Sequence, residues 1–152
     1  VTTTTRAEAG TMSEQTGFAE ALMGLTRLVQ HVFADVSREH HVTPQQAQLL
    51  CRLLPGPVGV TELGRLLNLE KSSVSGLVDR VERRGLVVRV RDSRDRRTCR
   101  IALTPEGVKL ANDSHEKLTE RLETLAGPLS QEAKLGLTEV ATQLIARYED
   151  SR

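Results

Sequence analysis

From Phe18 onward the apolar positions of the chain fall into helical stripes. Phe18, Leu22, Leu25, Val29, Val32, Phe33 and Val36 recur every three or four residues, the spacing of one face of an amphipathic helix. "HVTPQQAQLLCRLL" begins a second helix, with Thr43 as N-cap and Pro44 at the first helical position, where a missing N–H removes no hydrogen bond. The breakers of "PGPVG" end it. In "TELGRLLN" Leu63, Leu66 and Leu67 share a face. After a short turn carrying Leu69, "KSSVSGLVDRVERRG" aligns Val74, Leu77, Val78 and Val81 and stops at Gly85, a natural helix terminator. The period then changes. "LVVRV" and "RIALT" are alternating, β-branched segments on either side of the polar tip "RDSRDRRTC", which predicts a hairpin. Thr104 caps the next helix, with Pro105 and Glu106 in its first turn. Leu118, Leu122 and Leu125, then, beyond "GP", Leu129, Leu137, Val140, Leu144 and Ile145 carry two long amphipathic helices to the end. Residues 1–15, "VTTTTRAEAGTMSEQ", lack periodicity and read as a flexible arm.

Two short helices joined by a tight turn form a helix-turn-helix, and a hairpin directly after the second makes it a winged helix. The expected fold is therefore mainly α with a small β-wing. A winged helix-turn-helix unit at 41–104 is flanked by helical segments at 16–40 and 105–150.

Composition narrows the picture. With 152 residues, 38% of them hydrophobic, no Trp, one Tyr and two Phe, the core must be aliphatic. No apolar run approaches the roughly 18 residues of a membrane span, and the Thr-rich start has no signal-peptide core, so a cytoplasmic location is expected. Cys51 and Cys99 stand far apart and in no metal spacing; both read as small core residues, with Cys99, beside arginines, the better candidate for redox chemistry.

Charge is the more telling property. The net value is only +1, yet Asp79 to Arg100 holds nine arginines against four acids, a local +5 that leaves −4 for the remainder. A solvated face would mix its signs and include lysine; a segment whose cations are all arginine points to a polyanion. Lys71, Ser72, Ser73, Ser75 and Gly76 make the start of the second helix small and polar, suited to close approach to base edges. Arg80, Arg83 and Arg84 lie further along, at phosphate distance, with Arg80 also able to pair with Asp79 or Glu82, and one of Ser72 and Ser73 is expected to cap the helix. At the hairpin tip, Arg94, Arg96 and Arg97 suit a narrow minor groove, where planar, weakly hydrated guanidinium is favoured over lysine. Asp92 and Asp95 would hold those arginines or nearby N–H groups in one geometry.

"VTELGRLLNLEKSSVSGLVDRVERRGLVVRVRDSRDRRTCRIALTPEG", Val60 to Gly107, resembles the winged-helix core of the MarR family of bacterial transcription regulators. The most specific part is Asp95-Arg96-Arg97 followed by "ALTPEG"; the D-R of "LVDRVERRGLV" matches at Asp79 and Arg80. The resemblance implies that Arg97 enters the minor groove and Asp95 steadies it. Gly76 stands where many members carry a larger polar residue, shifting base reading toward Ser72, Ser73 and Ser75, and Ser93 replaces a proline common at the wing. It further implies a homodimer on double-stranded DNA, joined through the terminal helices. The stripes support this independently, being longer than a winged-helix core of about 50 residues can cover. Phe18, Leu22, Leu25, Leu137, Val140 and Leu144 are the candidate dimerisation residues, with intramolecular three-helix packing as the alternative. Repression is the commoner outcome in the family, with a small-molecule effector acting between dimer helices and DNA-binding unit.

Enzyme chemistry finds no support: there is no nucleotide-binding Gly-rich loop, serine elbow or paired His–carboxylate spacing, and no cofactor is implied. Aromatic platforms for single-stranded RNA are also lacking. The alternatives that stay open are a redox-responsive regulator, a metal-responsive one using His31, His40, His41 and His115, and a winged-helix protein-interaction module without DNA binding.

Overall fold

The computed structural model describes residues 16–152, so the arm expected at 1–15 lies outside the described residues. In chain order the elements are α1 (Phe18–Glu39), α2 (Pro44–Leu53), β1 (Val58–Gly59), α3 (Val60–Leu67), α4 (Lys71–Arg83), β2 (Val87–Arg91), β3 (Cys99–Leu103), α5 (Pro105–Leu125) and α6 (Gln131–Asp150). The fold is mainly helical with a small antiparallel sheet in the order β1-β3-β2.

The helix ends follow from local chemistry. Thr43 and Gln46 form a reciprocal capping box at the start of α2, each side chain accepting from the other's backbone N–H at 3.2 Å. Helices α1, α3 and α4 end in the same hydrogen-bond pattern, around left-handed residues His41 (φ 58), Asn68 (φ 54) and Gly85 (φ 72). In each, the next residue's N–H reaches back to a carbonyl of the last turn: Val42 to Ser37, Leu69 to Gly64, Leu86 to Val81. The residues that follow the turn are apolar and pack in or against the core, which fixes the direction in which the chain leaves each helix. Glycine takes the left-handed conformation freely and asparagine tolerates it, whereas histidine adopts it at a cost.

The hairpin pairs in full register from Val87↔Leu103 to Arg91↔Cys99. Strand β1 joins its other edge through Val58↔Ile101 and Gly59↔Arg100. In the sequence "PGPVG" shows only breakers: a two-residue strand is too short for any periodicity, and its pairing is supplied by the open edge of β3.

The core is aliphatic, as composition requires. Leu49, Leu50 and Leu53 of α2, Leu63 of α3, Val74, Leu77, Val78 and Val81 of α4, Val87 and Ile101 of the hairpin and Ala111 of α5 form one buried cluster. At the hairpin base Thr104 donates its hydroxyl to the Gly85 carbonyl at 2.6 Å and accepts from the Gly107 N–H at 3.1 Å. Gly107 sits so close that a Cβ there would lie 2.0 Å from the Leu86 carbonyl oxygen. The wing is thereby welded to the start of α5.

Helix α5 packs along α1 and α2, and Arg121 of α5 pairs with Glu39 at the end of α1 at 2.5 Å. That bond holds the Glu39 carboxyl below the usual carboxylate range. Helix α6 is different: it has no buried residue. Among the described residues no helix is long and apolar enough to cross a membrane.

Candidate nucleic-acid interface

Burial of Val74, Leu77, Val78 and Val81 fixes the rotation of α4. Helical spacing then turns the small polar start of the helix outward, leaving Lys71, Ser72 and Ser73 exposed and Ser75 and Gly76 half-buried. The expected serine cap is not formed. The N-cap is Glu70, without a side-chain cap hydrogen bond, so Ser72 and Ser73 are the second and third residues of the helix itself. Both hydroxyls remain available to a ligand.

Arg80 is exposed and forms no ion pair with Asp79 or Glu82. Side chains on a helix lean toward its N-terminus, and Arg80 does so over the space that Gly76 leaves open, with a Cβ at 76 falling 3.8 Å from the Arg80 Nη1. A guanidinium placed by sequence spacing at phosphate distance therefore reaches toward the small polar start of α4.

The acids of α4 are taken by Arg89, a residue of β2 that the sequence reading did not single out. Its guanidinium donates to the Asp79 carboxylate at 2.7 Å and to Glu82 at 2.5 Å. The Asp79 hydrogen bond, helped by the charges of Glu82 and Asp79, raises the Arg89 pKa above the ordinary guanidinium value against some desolvation. All three side chains are at least one-third exposed, and such pairs add only about 0–1 kcal/mol each. Their effect is geometric: one strand residue bridges two helix residues a turn apart, fixing wing to helix. The signal was present in principle, since Asp79 and Glu82 are spaced i, i+3 on one helix face beside a hairpin rich in arginine.

At the tip, the two aspartates act on the backbone. Asp92 accepts from the Arg94 N–H at 3.0 Å. Asp95 accepts from the Arg97 N–H at 3.0 Å and from the Thr98 hydroxyl at 3.1 Å. These Asx-type bonds shape the turn, while the side chains of Arg94, Arg96 and Arg97 stay exposed around them. Of the two options for the acids, holding N–H groups is the one realised.

Arg83 is exposed. Arg84, expected beside it as a second phosphate contact, is also exposed, and its Nη1 donates to the His41 carbonyl at 2.5 Å and to Gln46 Oε1 at 3.4 Å at the α1–α2 junction. Cys51 is half-buried and burial pushes its thiol pKa up. Cys99, also half-buried, lies on β3 opposite Arg91. Among the described residues no three or more His, Cys, Asp or Glu gather so as to hold a metal ion. His40 is occupied locally, its Nδ1 lying 2.9 Å from the Val36 carbonyl.

The predicted dimerisation residues are largely bare. Phe18 is 62% exposed, and Leu25, Leu137, Val140 and Leu144 lie between 38% and 46%; Leu22 is half-buried. Met23 and Leu28 of α1 and Leu135, Ile145 and Tyr148 of α6 are exposed as well.

A helix-turn-helix with a hairpin fixed beside its second helix, and arginines presented at the hairpin tip, defines a winged helix-turn-helix protein. A model of the MarR family matches residues 40–98. The HTH-type transcriptional regulator FarR of Neisseria gonorrhoeae is 31% identical over 121 residues, 78% of this chain and 82% of that protein. The homoprotocatechuate degradative operon repressor of Escherichia coli is 27% identical over 135 residues, 86% of this chain and 91% of its own length. Among solved structures, NadR in complex with 4-hydroxyphenylacetate superposes with a TM-score of 0.69 at 26% identity, covering 89% of this chain and 96% of that one. Wild-type MarR from E. coli gives 0.77 at 17% identity over 87% and 98% of the two chains, a likeness of fold. The chain belongs to the MarR family of transcriptional regulators; its relatives are regulators and not enzymes.

Proposed function

We propose that this regulator acts as a homodimer on pseudo-palindromic double-stranded DNA, with α4 in the major groove and the β2–β3 wing in the adjacent minor groove. The observation that carries the reading is the tip itself: Asp92 and Asp95 satisfy backbone N–H groups and leave Arg94, Arg96 and Arg97 pointing into solvent from a preformed turn. A protein without a polyanionic partner has no use for three unpaired guanidinium groups at one hairpin tip, and a narrow minor groove is the site that suits them. Ser72, Ser73, Ser75 and Arg80 then face base edges, with Lys71 and Arg83 on phosphates. Arg80 takes part in base reading because Gly76 leaves it room to lean forward.

The exposed apolar faces of α1 and α6 support a two-fold dimer. Monomers rarely leave this many large apolar side chains of two helices uncovered, and a second copy brings the matching faces. In that arrangement 16–40 and 105–150 form the dimerisation region, 41–104 the DNA-binding unit, and the half-sites lie about one helical turn apart. Repression is the outcome we favour, from the name of the E. coli relative. An effector seated between dimer helices and DNA-binding unit would change the spacing of the two wings. The solved complex of NadR with 4-hydroxyphenylacetate makes small phenolic acids the first compounds to try.

The test is equilibrium binding to a duplex selected from a random-sequence pool, against a scrambled duplex, across a salt series. Selective binding with a steep salt slope is expected. Equal, weak binding to both duplexes would instead leave a winged-helix protein-interaction module.

A further inference from the structure

We infer that Arg84 is a positioning residue that couples the end of α1 to the recognition helix, and not a contact to DNA; the inference rests on the DNA-binding reading above. Arg84 is the residue on which α4 ends. Its Nη1 donates to the His41 carbonyl at 2.5 Å and to Gln46 Oε1 at 3.4 Å. His41 is the left-handed residue that terminates α1, and Gln46 is buried and belongs to the capping box that starts α2. One nitrogen thus joins the ends of three helices, including the one whose other end carries the exposed apolar surface of Phe18 and Met23.

The two acceptors are of a kind that holds an arginine in place. The Gln46 oxygen already receives the Thr43 N–H at 3.2 Å, so its position is set by the helix cap, and a backbone carbonyl cannot swing away as a carboxylate side chain can. Together with Arg89, which grips Asp79 and Glu82 from the wing, Arg84 leaves α4 tied to the wing by one arginine and to the α1–α2 junction by the other. A shift of α1 against α2 therefore reaches the recognition helix through Arg84 without passing through the aliphatic core.

A phosphate contact and a positioning contact leave different signatures. Loss of one phosphate contact weakens selected and scrambled duplex alike and lowers the log–log salt slope by about 0.9. Loss of positioning tilts α4, so affinity for the selected duplex falls while the electrostatic, sequence-independent part stays. The experiment compares Arg84→Ala, Arg84→Lys and Arg83→Ala with the wild type on a duplex selected by the wild type and on its scrambled counterpart, across a salt series, with the DNA-binding-competent fraction and oligomeric state measured on each sample.

For Arg84→Ala the expected result is a loss of selectivity of about ten-fold, the scale of a typical coupling, with scrambled-duplex affinity and salt slope unchanged. Arg84→Lys keeps the charge but not the forked, planar donor, and is expected to recover only part of the selectivity. Arg83→Ala is expected to do the opposite, lowering both affinities and the slope. Equal losses on both duplexes with a shallower slope for Arg84→Ala, full recovery by lysine, or no change at all would each overturn the inference. A wild type that selects no duplex would overturn the DNA-binding reading and this one with it, and the wild-type arm alone distinguishes that failure.

Discussion

Gly107 and Gly76 differ in what an added side chain would meet. Gly107 is the sharper case, because the oxygen that a Cβ would strike belongs to the main chain of Leu86 and cannot rotate away. Gly107→Ala is expected to destabilise the fold by about 3 kcal/mol or more, the upper range of overpacking, seen as a lower midpoint in urea unfolding. Gly76 is the opposite case. A Cβ there meets only the end of the Arg80 side chain, at an ordinary contact distance, so Gly76→Ala is expected to stabilise the protein by about 0.5–1 kcal/mol. The same urea titration checks both, and destabilisation by the second substitution would mean that α4 is not the regular helix described. Neither difference is visible in the sequence, where each glycine stands between a polar residue and an apolar one. Arg84 teaches the same point with a charge: its partners are 43 and 38 positions away, and no local pattern names them.

Among the elements, the hairpin and α4 work as one part. Strand register places Arg89 opposite Ile101, and the pair of acids on α4 captures it. Expected consequences belong to the tip beyond that clasp. Arg97→Ala removes an exposed guanidinium and leaves the Asp95 bonds to the Arg97 N–H and Thr98 intact, so the turn keeps its shape. Operator affinity should fall by about 1–3 kcal/mol, while dimer size by light scattering stays that of the wild type. Undiminished affinity in a folded variant would remove Arg97 from the minor groove. Most elements were legible in advance, because helical stripes, caps at Thr43 and Thr104 and the switch to alternation are all local signals. Strand β1 was not, having two residues and a partner more than 40 positions away. Nor was the N-cap of α4, where serines drew attention to themselves and Glu70 holds the position.

For the whole molecule the deciding fact is the contrast between α6, with no buried residue, and the close-packed unit from α2 to β3. If the bare faces of α1 and α6 meet those of a second copy, a charge placed between them carries a desolvation cost with no partner. Leu144→Glu is accordingly expected to dissociate or unfold the protein, read by light scattering together with far-ultraviolet circular dichroism. A stable, folded monomer that keeps full affinity for the selected duplex would refute the dimer.

The sequence by itself determined the winged helix-turn-helix order, the aliphatic core, the basic segment and its family, since each is written in period, composition or a contiguous motif. Tertiary structure alone decided which arginines are free. Of the exposed arginines from Asp79 to Arg100, Arg89 and Arg84 donate to acceptors on other elements, whereas Arg94, Arg96 and Arg97 form no side-chain pair among the described residues. A guanidinium has the same charge in either role, and a flexible stem several bonds long can reach in many directions. Only the acceptors that folding brings within hydrogen-bonding distance choose between them.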